Sequence, residues 1–418
     1  MPLRNVRIAP GFNKADTPSG AEGQWIDGDF VRFRYGQPEK IGGFTAIGAE
    51  TISGPTRAQH TWTDLEGNRY AALGTSKALY IYYEDKFYDV TPLATALTGA
   101  TFTSTQNQNI VTVNKTSHSL DVGEYITFTS VTLPGGGATG FTVADFQNFT
   151  YEVLTAPNAN TFTIQMKSNE TGTGMSSAGS ASINPYEEIG PTIQTYGYGW
   201  GTGTWSRGTW GSGTTSSTVI LDPGTWSLDN FGQQLIATVK DGKTFVWNPG
   251  VSNSLEQRAV VMSGAPTATR LTITSDRDRH VVHFGTETTI GNTATQDPMF
   301  IRFSDQENFS VYQPTSINTA GTFRLDTGNK IVAAVSGKDY NLILTDQAAY
   351  TMQFVGPPFT FSIRQVGSNC GCIGQHATVY ADGKVFWMGA GGGFFVFDGT
   401  VKLLPVSYTH LRAHETLL

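Results

Sequence analysis

Short apolar runs separated by polar turns recur along most of the chain. In Tyr70–Val90, an apolar run, a polar turn, an aromatic run, a second turn and a third run follow one another. The same order returns in Leu235–Gly250, Leu342–Arg364 and Val385–Pro405, and a looser copy with a longer first turn spans His280–Tyr312. The chain therefore contains five copies of one unit of short strands.

This repeat predicts an all-β protein built around a β-propeller. Each unit is a meander whose apolar face cannot be buried by the unit alone, and radial stacking of such units buries it. A β-sandwich also contains hairpins, but it does not require the same order of runs in every unit.

Three consecutive glycines, Gly391–Gly393, lie at the first turn of their unit. Lys77, Lys240–Gly242 and Gln347–Ala348 occupy the same place in other units. A phosphate-binding loop requires a following helix and usually a Lys with Ser or Thr, and the sequence FFVFDG follows instead. The glycines are therefore predicted to form a turn.

The segment DFVRFRY precedes the first unit and alternates apolar and basic residues. In a strand, Val31, Phe33 and Tyr35 would point to one side and Arg32 and Arg34 to the other. The apolar side is predicted to be core. The basic side is either solvated or a contact for an acidic partner or a phosphate. The Gln-Pro step and the IGGF sequence that follow predict turns.

From residue 99 to residue 185 the repeat stops, and Thr, Ser, Asn and Gly dominate. Alternating stretches such as NIVTVNKTSHSLDVGEYITFTS predict a small β-domain there. The blade pattern resumes after Tyr196, so this domain is inserted into the propeller with its two ends close together. Residues 1–98 then hold a short N-terminal strand segment and the first blade, and residues 186–405 hold the remaining blades.

A Gly- and Trp-rich stretch, YGYGWGTGTWSRGTWGSG, covers residues 196–213. Its aromatic side chains could stack on sugars or bases, but Arg207 is its only charged residue, so it offers no electrostatic groove for nucleic acid. It is predicted to be a structural or interface loop, with ligand stacking as the alternative. The residues concerned are Trp200, Trp205, Arg207 and Trp210.

Charge and cysteine content narrow the function classes. With 27 basic and 34 acidic residues the net charge is −7, which repels a polyanion and argues against a protein that reads DNA sequence. No stretch approaches the ~18 apolar residues of a membrane span, and no secretion signal begins the chain. Cys370 and Cys372 are one residue apart, which suits free thiols in a reducing compartment.

The candidate chemistry is sparse. His280 and His283 would face opposite sides of a strand and could not share a metal. Asp305 and Glu307 would share one face of an extended segment, yet turn and hydrogen-bonding roles are favoured over a glycosidase pair. No nucleophile elbow or nucleotide fingerprint is present. We expect no enzymatic activity, no cofactor and no metal.

Several phrases resemble one protein family. They are APGFNKADTPSGAEGQWIDGDFVRFRYGQPEKIGGF, TWSLDNFGQQLIA, QDPMFIRFSDQEN, GPPFTFSIRQVGSNCGCIGQHA and GKVFWMG. In this order they resemble the packaged-DNA stabilisation, or tail hub, proteins of short-tailed (podovirus-type) bacteriophages, from about Pro10 to Leu404. The matching positions include Trp25, Asp27, Gly28, Asp305, Glu307, Asn308, Asn369, Cys370 and Gly371.

This resemblance implies a structural protein of the virion tail that is assembled in the host cytoplasm. Such a protein docks below the portal and its adaptor ring as a ring of copies, continues the tail channel, retains the packaged genome and carries needle or spike proteins. DNA passes it without sequence-specific binding, and no membrane is involved. Arg32, Arg34 and Lys40 become candidate subunit or adaptor contacts. A glycan-binding phage adhesin, using the Trp-rich stretch and the inserted domain, is the alternative.

The last residues, 406–418, share no pattern with the unit before them. They resemble a translated sequencing adapter of the kind found at the ends of metagenomic reading frames. We therefore expect Pro405 to lie near the last genuine residue and the five units to be a lower limit on the number of blades.

Overall fold

A computed structural model describes residues 8–13, 16–43, 45, 51–191, 222–275, 277–357 and 359–404. Across these ranges the chain is almost entirely β-structure, with a single five-residue α-helix. The five repeat units form five four-stranded antiparallel sheets, which are the blades of a β-propeller. None of the described helices is long and apolar enough to cross a bilayer.

Two small sheets form the N-terminal segment. Strands β1 (Ala9–Phe12) and β2 (Gln24–Trp25) pair in parallel, and β3 (Val31–Arg34) pairs antiparallel with β4 (Gln37–Lys40).

The sequence prediction for this segment was wrong in two places. Tyr35 does not continue the strand: it has φ +51° in a two-residue turn with Gly36 and is 92% exposed. Pro38 lies inside β4 and not in a turn, which is possible because β4 is an edge strand.

Blade 1 precedes the inserted domain. It consists of β5 (Thr56–Thr63), β6 (Arg69–Thr75), β7 (Leu79–Tyr83) and β8 (Lys86–Asp89), paired in that order.

The inserted domain is one seven-stranded sheet with its own apolar core. Its strands are β9 (Leu97–Ser104), β10 (Ile110–Asn114), β11 (Tyr125–Thr132), β12 (Tyr151–Glu152), β13 (Thr155–Asn158), β14 (Thr161–Gln165) and β15 (Ala178–Pro185), with helix α1 (Val143–Gln147) between β11 and β12.

The two ends of the inserted domain are hydrogen-bonded to each other where the chain leaves blade 1. The Ala94 N–H donates to the Pro185 carbonyl at 2.8 Å, and the Glu187 N–H donates to the Pro92 carbonyl at 2.9 Å. A salt bridge of 3.1 Å joins Lys77 of blade 1 to Glu152 of the domain.

Blades 2 to 5 follow. Blade 2 contains β16 (Trp226–Phe231), β17 (Gln234–Val239), β18 (Thr244–Trp247) and β19 (Val260–Val261). Blade 3 contains β20 (Leu271–Ser275), β21 (His280–Phe284), β22 (Phe300–Phe303) and β23 (Gly321–Arg324). Blade 4 contains β24 (Ile331–Ser336), β25 (Asn341–Thr345), β26 (Ala348–Gly356) and β27 (Thr360–Ser368). Blade 5 contains β28 (Thr378–Ala381), β29 (Lys384–Met388), β30 (Phe394–Phe397) and β31 (Val401–Leu404).

In blades 1, 4 and 5 the repeat unit visible in the sequence is therefore the outer three strands. In blades 2 and 3 the units Leu235–Gly250 and His280–Tyr312 cover only the second and third strands. The innermost strand, from β5 to β28, precedes each unit, and the inner strands of successive blades lie side by side. The turn predicted at Gly391–Gly393 is present between β29 and β30, closed by the Gly389 N–H on the Gly393 carbonyl at 2.7 Å.

Apolar cores join successive blades. One core lies between blades 1 and 2, and others lie between blades 2 and 3, 3 and 4, and 4 and 5. The described residues form no such core between blade 5 and blade 1, and we call this place the seam. The facing sides of the two end blades are apolar but half-exposed, with Leu73 and Tyr82 on blade 1 and Phe386 and Met388 on blade 5.

Candidate functional site at one end of the propeller axis

The first turn of each unit and the link that enters each inner strand lie at the same end of the propeller. There the described residues line a cavity of about 360 Å³, which we call the axial mouth. Its walls come from blades 2 to 5 and comprise Asp222, Thr225, Lys240, Arg270, Leu271, Lys330, Val332, Asp346, Cys372, Ile373, Gly374, Gln375, His376 and Ala390.

Three cations surround the axial mouth. Lys240 lies in the β17–β18 turn, and Arg270 and Lys330 immediately precede the inner strands β20 and β24. The Lys240 ammonium bonds to the Asp222 carboxylate at 3.0 Å, and the Arg270 guanidinium lies 3.5 Å from the partly exposed Asp241. Lys330 has no salt-bridge partner within the described ranges.

The two carboxylates of the axial mouth are already engaged. Partial burial pushes the pKa of Asp222 upwards, but the hydrogen bond from Lys240 and the charges of Lys240, Lys330 and Arg270 outweigh it and hold that pKa below its ordinary value. Asp346 accepts the backbone and side-chain N–H groups of Asn329 at 2.8 and 3.0 Å, which lower its pKa against the opposing effect of burial. With Asp241 at the rim, three carboxylates lie against the three cations of the cavity, so its charges balance.

The family-like phrase around Asn369, Cys370 and Gly371 forms part of this wall. Asn369 turns the chain with φ +53°, and the Cys370 N–H then donates to the Gln347 carbonyl at 3.0 Å. A Cβ at Gly371 would lie 1.9 Å from the Asp346 carbonyl oxygen, so only glycine fits this approach. The link is thus fixed against the β25–β26 turn.

The same link continues across the axial mouth towards blade 2. The Gln375 side-chain amide donates to the Trp226 carbonyl on β16 at 3.3 Å, while Ile373 remains 53% exposed. Cys370 and Cys372 are free and buried, and burial raises the pKa of both thiols. They are therefore packing groups of the wall and poor nucleophiles.

Trp200, Trp205, Arg207 and Trp210 lie outside the described residues. The residues that flank their segment meet beside the axial mouth: the Gly224 N–H donates to the Pro191 carbonyl at 2.9 Å. Arg57 of β5 donates to both the Pro191 and the Gly224 carbonyl oxygens. The Trp-rich segment therefore leaves and rejoins the propeller at one point. Residues 406–418, predicted to be adapter-derived, also lie outside the described residues.

The three candidate contact residues lie far along the chain from the axial mouth, on the β3–β4 hairpin. Arg32 faces Glu39 across the hairpin and forms a salt bridge of 3.2 Å with it. The Arg34 guanidinium lies 5.5 Å from the centre of the Tyr35 ring, and Lys40 is exposed. Arg34 and Lys40 thus remain available to a partner, and Arg32 already has one.

Trp25, Asp27 and Gly28 support that hairpin. The Asp27 carboxylate accepts the Gly28 N–H at 2.9 Å, and a Cβ at Gly28 would lie 2.4 Å from the Phe12 ring. Phe33 of β3 packs against Trp25 with ring centres 6.4 Å apart. These positions therefore shape the N-terminal segment.

Asp305, Glu307 and Asn308 form a tight turn, and the extended segment predicted for them is wrong. Asp305 and Asn308 form a bridge, and Glu307 has φ +57°. The Asp305 carboxylate accepts the N–H and hydroxyl of Thr319, both at 2.8 Å, and Glu307 pairs with Arg279 at 3.1 Å. The two carboxylates form contacts that stabilise turns, in agreement with the turn and hydrogen-bonding roles favoured from the sequence.

The two strand histidines point to opposite sides of β21, as predicted. His280 lies among aromatic rings, including Phe361 at 5.1 Å between ring centres. His283 bonds to the Thr272 hydroxyl at 3.1 Å and to the Tyr312 hydroxyl at 3.0 Å. Within the described ranges, no three His, Cys, Asp or Glu side chains cluster as metal ligands.

Sequence reasoning did not identify the axial mouth. Its cations lie in three different blades, and none belongs to a recognisable motif. The available signal was positional: Lys240 lies in a first turn, and Arg270 and Lys330 lie one residue before an inner strand. Residues at these repeat positions converge on the axis.

Comparison with known proteins adds little beyond the fold. No protein-family model and no curated protein matches the chain. Among solved structures, the chain is similar to the endosialidase of phage phi92, with 12% identity and a TM-score of 0.27 over 84% of this chain. The chain spans 55% of that endosialidase chain.

Two further solved structures are similar to the chain at the same level. The Cps50 (Swd1) β-propeller domain of Myceliophteria thermophila has 10% identity and a TM-score of 0.26, with 85% of this chain and 98% of that chain covered. Hsv2 of Kluyveromyces lactis has 8% identity and a TM-score of 0.24, with coverages of 82% and 96%. Similarity at this level supports no statement about function. The assignment of the blades rests on the strand pairing of this chain.

Proposed function

We propose that the chain is a structural protein of a tailed-phage virion, a tail hub that docks below the portal and adaptor ring and retains packaged DNA. One observation carries the proposal: the most distinctive family-like phrase, GPPFTFSIRQVGSNCGCIGQHA, supplies β27 and the link that crosses the axial mouth. The resemblance therefore falls on the outer strand of blade 4 and on its junction with blade 5.

The charge distribution is compatible with a wall past which DNA moves. Ten lysines and arginines of the described chain are paired with carboxylates, which reduces the number of cations that can hold phosphates. The net charge of −7 acts in the same direction. In this proposal the copies form a ring and DNA passes without sequence-specific binding.

The β3–β4 hairpin is the proposed contact with the adaptor or a neighbouring copy. Phe30 and Tyr35 are 71% and 92% exposed, and Arg34 and Lys40 lie beside them. Exposed aromatic rings next to unpaired basic groups have the composition of protein interfaces.

Addition of the purified protein to DNA-filled, tailless heads of the source phage tests the proposal. We expect the fraction of heads that keep nuclease-resistant DNA to rise with protein concentration. Arg34→Glu with Lys40→Glu should weaken this effect about tenfold, because two interface charges are reversed. Lys338→Glu with Lys384→Glu reverses two exposed charges elsewhere and should leave it unchanged.

The two parts of the proposal fail separately in that experiment. If wild-type protein does not retain DNA in the heads, the hub function is wrong. If it does, but the hairpin variant acts as the control does, the hub function stands and the hairpin is not the contact.

Glycan binding by an adhesin is the competing function, favoured by the junction of the Trp-rich segment with the propeller beside the axial mouth. A glycan array distinguishes the two. A hub should bind no glycan, whereas an adhesin should bind at least one and lose it in Trp205→Ala with Trp210→Ala.

A further inference from the structure

We propose that the β3–β4 hairpin of one copy binds two acidic turns of blade 1 in the next copy. We call these turns the acidic tip; they comprise residues 64–69 at the β5–β6 turn and residues 84–86 at the β7–β8 turn. Both turns lie at the end of blade 1 opposite to the axial mouth. The inference rests on the ring of copies in the proposed function and names the surface of the neighbouring copy that receives the hairpin.

Exposed apolar side chains mark both surfaces. The five most exposed large apolar side chains of the described residues are Phe30, Tyr35, Leu65, Ile317 and Phe359. The first two belong to the hairpin. Leu65 is 87% exposed and lies between Asp64 and Glu66 in the acidic tip. The other two have only uncharged neighbours in the sequence, so Leu65 alone combines exposure with a charge opposite to that of the hairpin.

The net charges of the two surfaces are opposite. The acidic tip holds four carboxylates against two cations. Residues 31–40 hold three cations against one carboxylate, and Asp29 at the base of the hairpin leaves a surplus of one positive charge. Within the described ranges no salt bridge is formed by Arg34, Lys40, Glu66 or Glu84. Complementary charges of this kind direct association and fix its register.

The two free cations of the hairpin lie on its opposite faces. Arg34 is on the exposed face of β3, while Lys40 is paired directly with Val31 and therefore shares the other face. A partner that contacts both cations must offer acidic groups on two separate elements.

The acidic tip has this arrangement. Glu66 and Glu84 lie on separate turns, and two strand spacings, about 10 Å, separate these turns in the order β5-β6-β7-β8. The Tyr83 hydroxyl donates to the Asn68 side chain at 3.4 Å and joins one turn to the other. The two glutamates are therefore presented side by side on a fixed support.

Both surfaces also hold residues in backbone conformations that favour glycine. Phe30 and Tyr35 have φ +54° and +51°, and Glu84 and Asp85 have φ +46° and +63°. Glu84 and Asp85 form a two-residue turn, for which Asn-Gly is the favoured sequence. Bulky or acidic side chains are unfavourable in this conformation, so local folding does not explain their presence and a binding role does.

A contact between two different surfaces of identical chains is heterologous. Each copy offers its hairpin to one neighbour and its acidic tip to the other, so the copies add in one direction. They form a closed ring when the rotation between neighbours closes.

Sedimentation velocity over a range of protein concentrations tests the proposal. We expect the wild-type protein to associate, and added salt to weaken the association. Arg34→Glu with Lys40→Glu reverses the hairpin charges, and Glu66→Lys with Glu84→Lys reverses the tip charges. Each double variant alone should associate at least about tenfold more weakly than the wild type, because like charges then face each other.

An equimolar mixture of the two double variants should associate as the wild type does. In the mixture the reversed hairpin of one variant meets the reversed tip of the other, and the unaltered hairpin meets the unaltered tip. Recovery in the mixture would also show that both variants are folded.

Two control variants change the net charge by the same amounts at exposed positions elsewhere. They are Lys338→Glu with Lys384→Glu, and Glu188→Lys with Glu256→Lys, and both should associate as the wild type does. The proposal is overturned if the wild type stays monomeric, if either double variant behaves as its control does, or if the mixture does not recover.

This contact and the hub function fail separately. If the mixture recovers association but wild-type protein does not retain DNA in tailless heads, the contact stands and the hub function is wrong. If DNA is retained but the mixture does not recover association, the hub function stands and the acidic tip is not the receiving surface.

Discussion

The middle blades and the two end blades differ in how many of their faces are covered. Every residue of β21 in blade 3 and of β25 in blade 4 is buried. In β29 of blade 5, by contrast, buried and partly exposed residues alternate, as they do over most of β6 in blade 1. A strand between two packed layers has no solvent-exposed face, whereas a strand at the end of the array keeps one.

One repeat unit is therefore used in two environments. Blades 2 to 4 exchange apolar surface with a neighbour on each side, and blades 1 and 5 do so on one side only. In an array stabilised by contacts between neighbouring units, the end units contribute less to stability than the middle ones. This difference can be measured with matched substitutions.

The first contrast compares two phenylalanines in equivalent strands. Phe284→Ala on β21 empties a fully buried site between blades 3 and 4 and should lower the free energy of unfolding by about 3–5 kcal/mol. Phe386→Ala, on the half-exposed side of β29, should cost about 1 kcal/mol. Urea denaturation of both variants measures the difference, and equal losses would show that the seam is covered in solution.

Two glycines give the next contrast. Gly371→Ala forces a Cβ to within 1.9 Å of a backbone oxygen at the junction of blades 4 and 5, and should cost about 3 kcal/mol. Gly391→Ala, in the exposed turn of the end blade, meets no atom within 4 Å and should change stability by less than about 0.5 kcal/mol. A comparable loss at Gly391 would mean that this turn is packed against something in solution.

A pH effect should arise in the middle blades. Burial, reinforced by the charge of Arg302, lowers the pKa of His283 to about 3. The unfolded chain binds this proton near pH 6.5 and the folded chain does not, so stability is lost as the pH falls from about 6.5 towards 3. Between pH 7 and pH 5 the loss from this residue should be about 2 kcal/mol.

His283→Asn should reduce that pH dependence, although it also removes packing and lowers stability at pH 7. Some dependence should persist because burial also lowers the pKa of His280. Denaturation curves of both proteins at pH 5 and pH 7 provide the measurement. An unchanged slope in the variant would show that His283 is protonated in the fold.

A further contrast compares an exposed position at the seam with a buried one. Val379→Asp on β28 lies at a 55%-exposed position and should cost less than about 1 kcal/mol. Ile273→Asp, on the inner strand of blade 3 with 7% exposure, places a charge in a core and should prevent folding. If Val379→Asp were also strongly destabilising, another layer must pack on blade 5.

The sequence predicted the outer three strands of blades 1, 4 and 5, and the second and third strands of blades 2 and 3, because these carry apolar and aromatic runs between clear turns. It did not predict the inner strands as part of the unit. In β16, for example, Trp226 and Phe231 flank polar residues whose hydrogen bonds are made to the next blade, such as the 2.7 Å bond from the Ser227 hydroxyl to the Thr272 carbonyl. In β16 no regular apolar pattern results, because the partners of its polar side chains lie in a neighbouring blade.

The site was less predictable than the fold. The phrase around Cys370 was singled out by resemblance, but its role as a wall of the axial mouth depends on Asp346 and Trp226, which are distant in sequence. The position of Tyr35 was mispredicted because strand alternation says nothing about where a two-residue turn begins. The local sequence pattern identifies strands and turns. Which side chains converge on the propeller axis depends on how the blades are arranged around it.

The paired ends of the inserted domain also affect how the sequence of such a chain can change during evolution. Because Pro92 and Glu187 are joined by a backbone hydrogen bond, blade 1 and blade 2 already meet without the intervening hundred or so residues. A recombination event that exchanged this segment for another, or deleted it, would leave the blades in register. The domain is thus attached at a point where its exchange would leave the order of the blades unchanged.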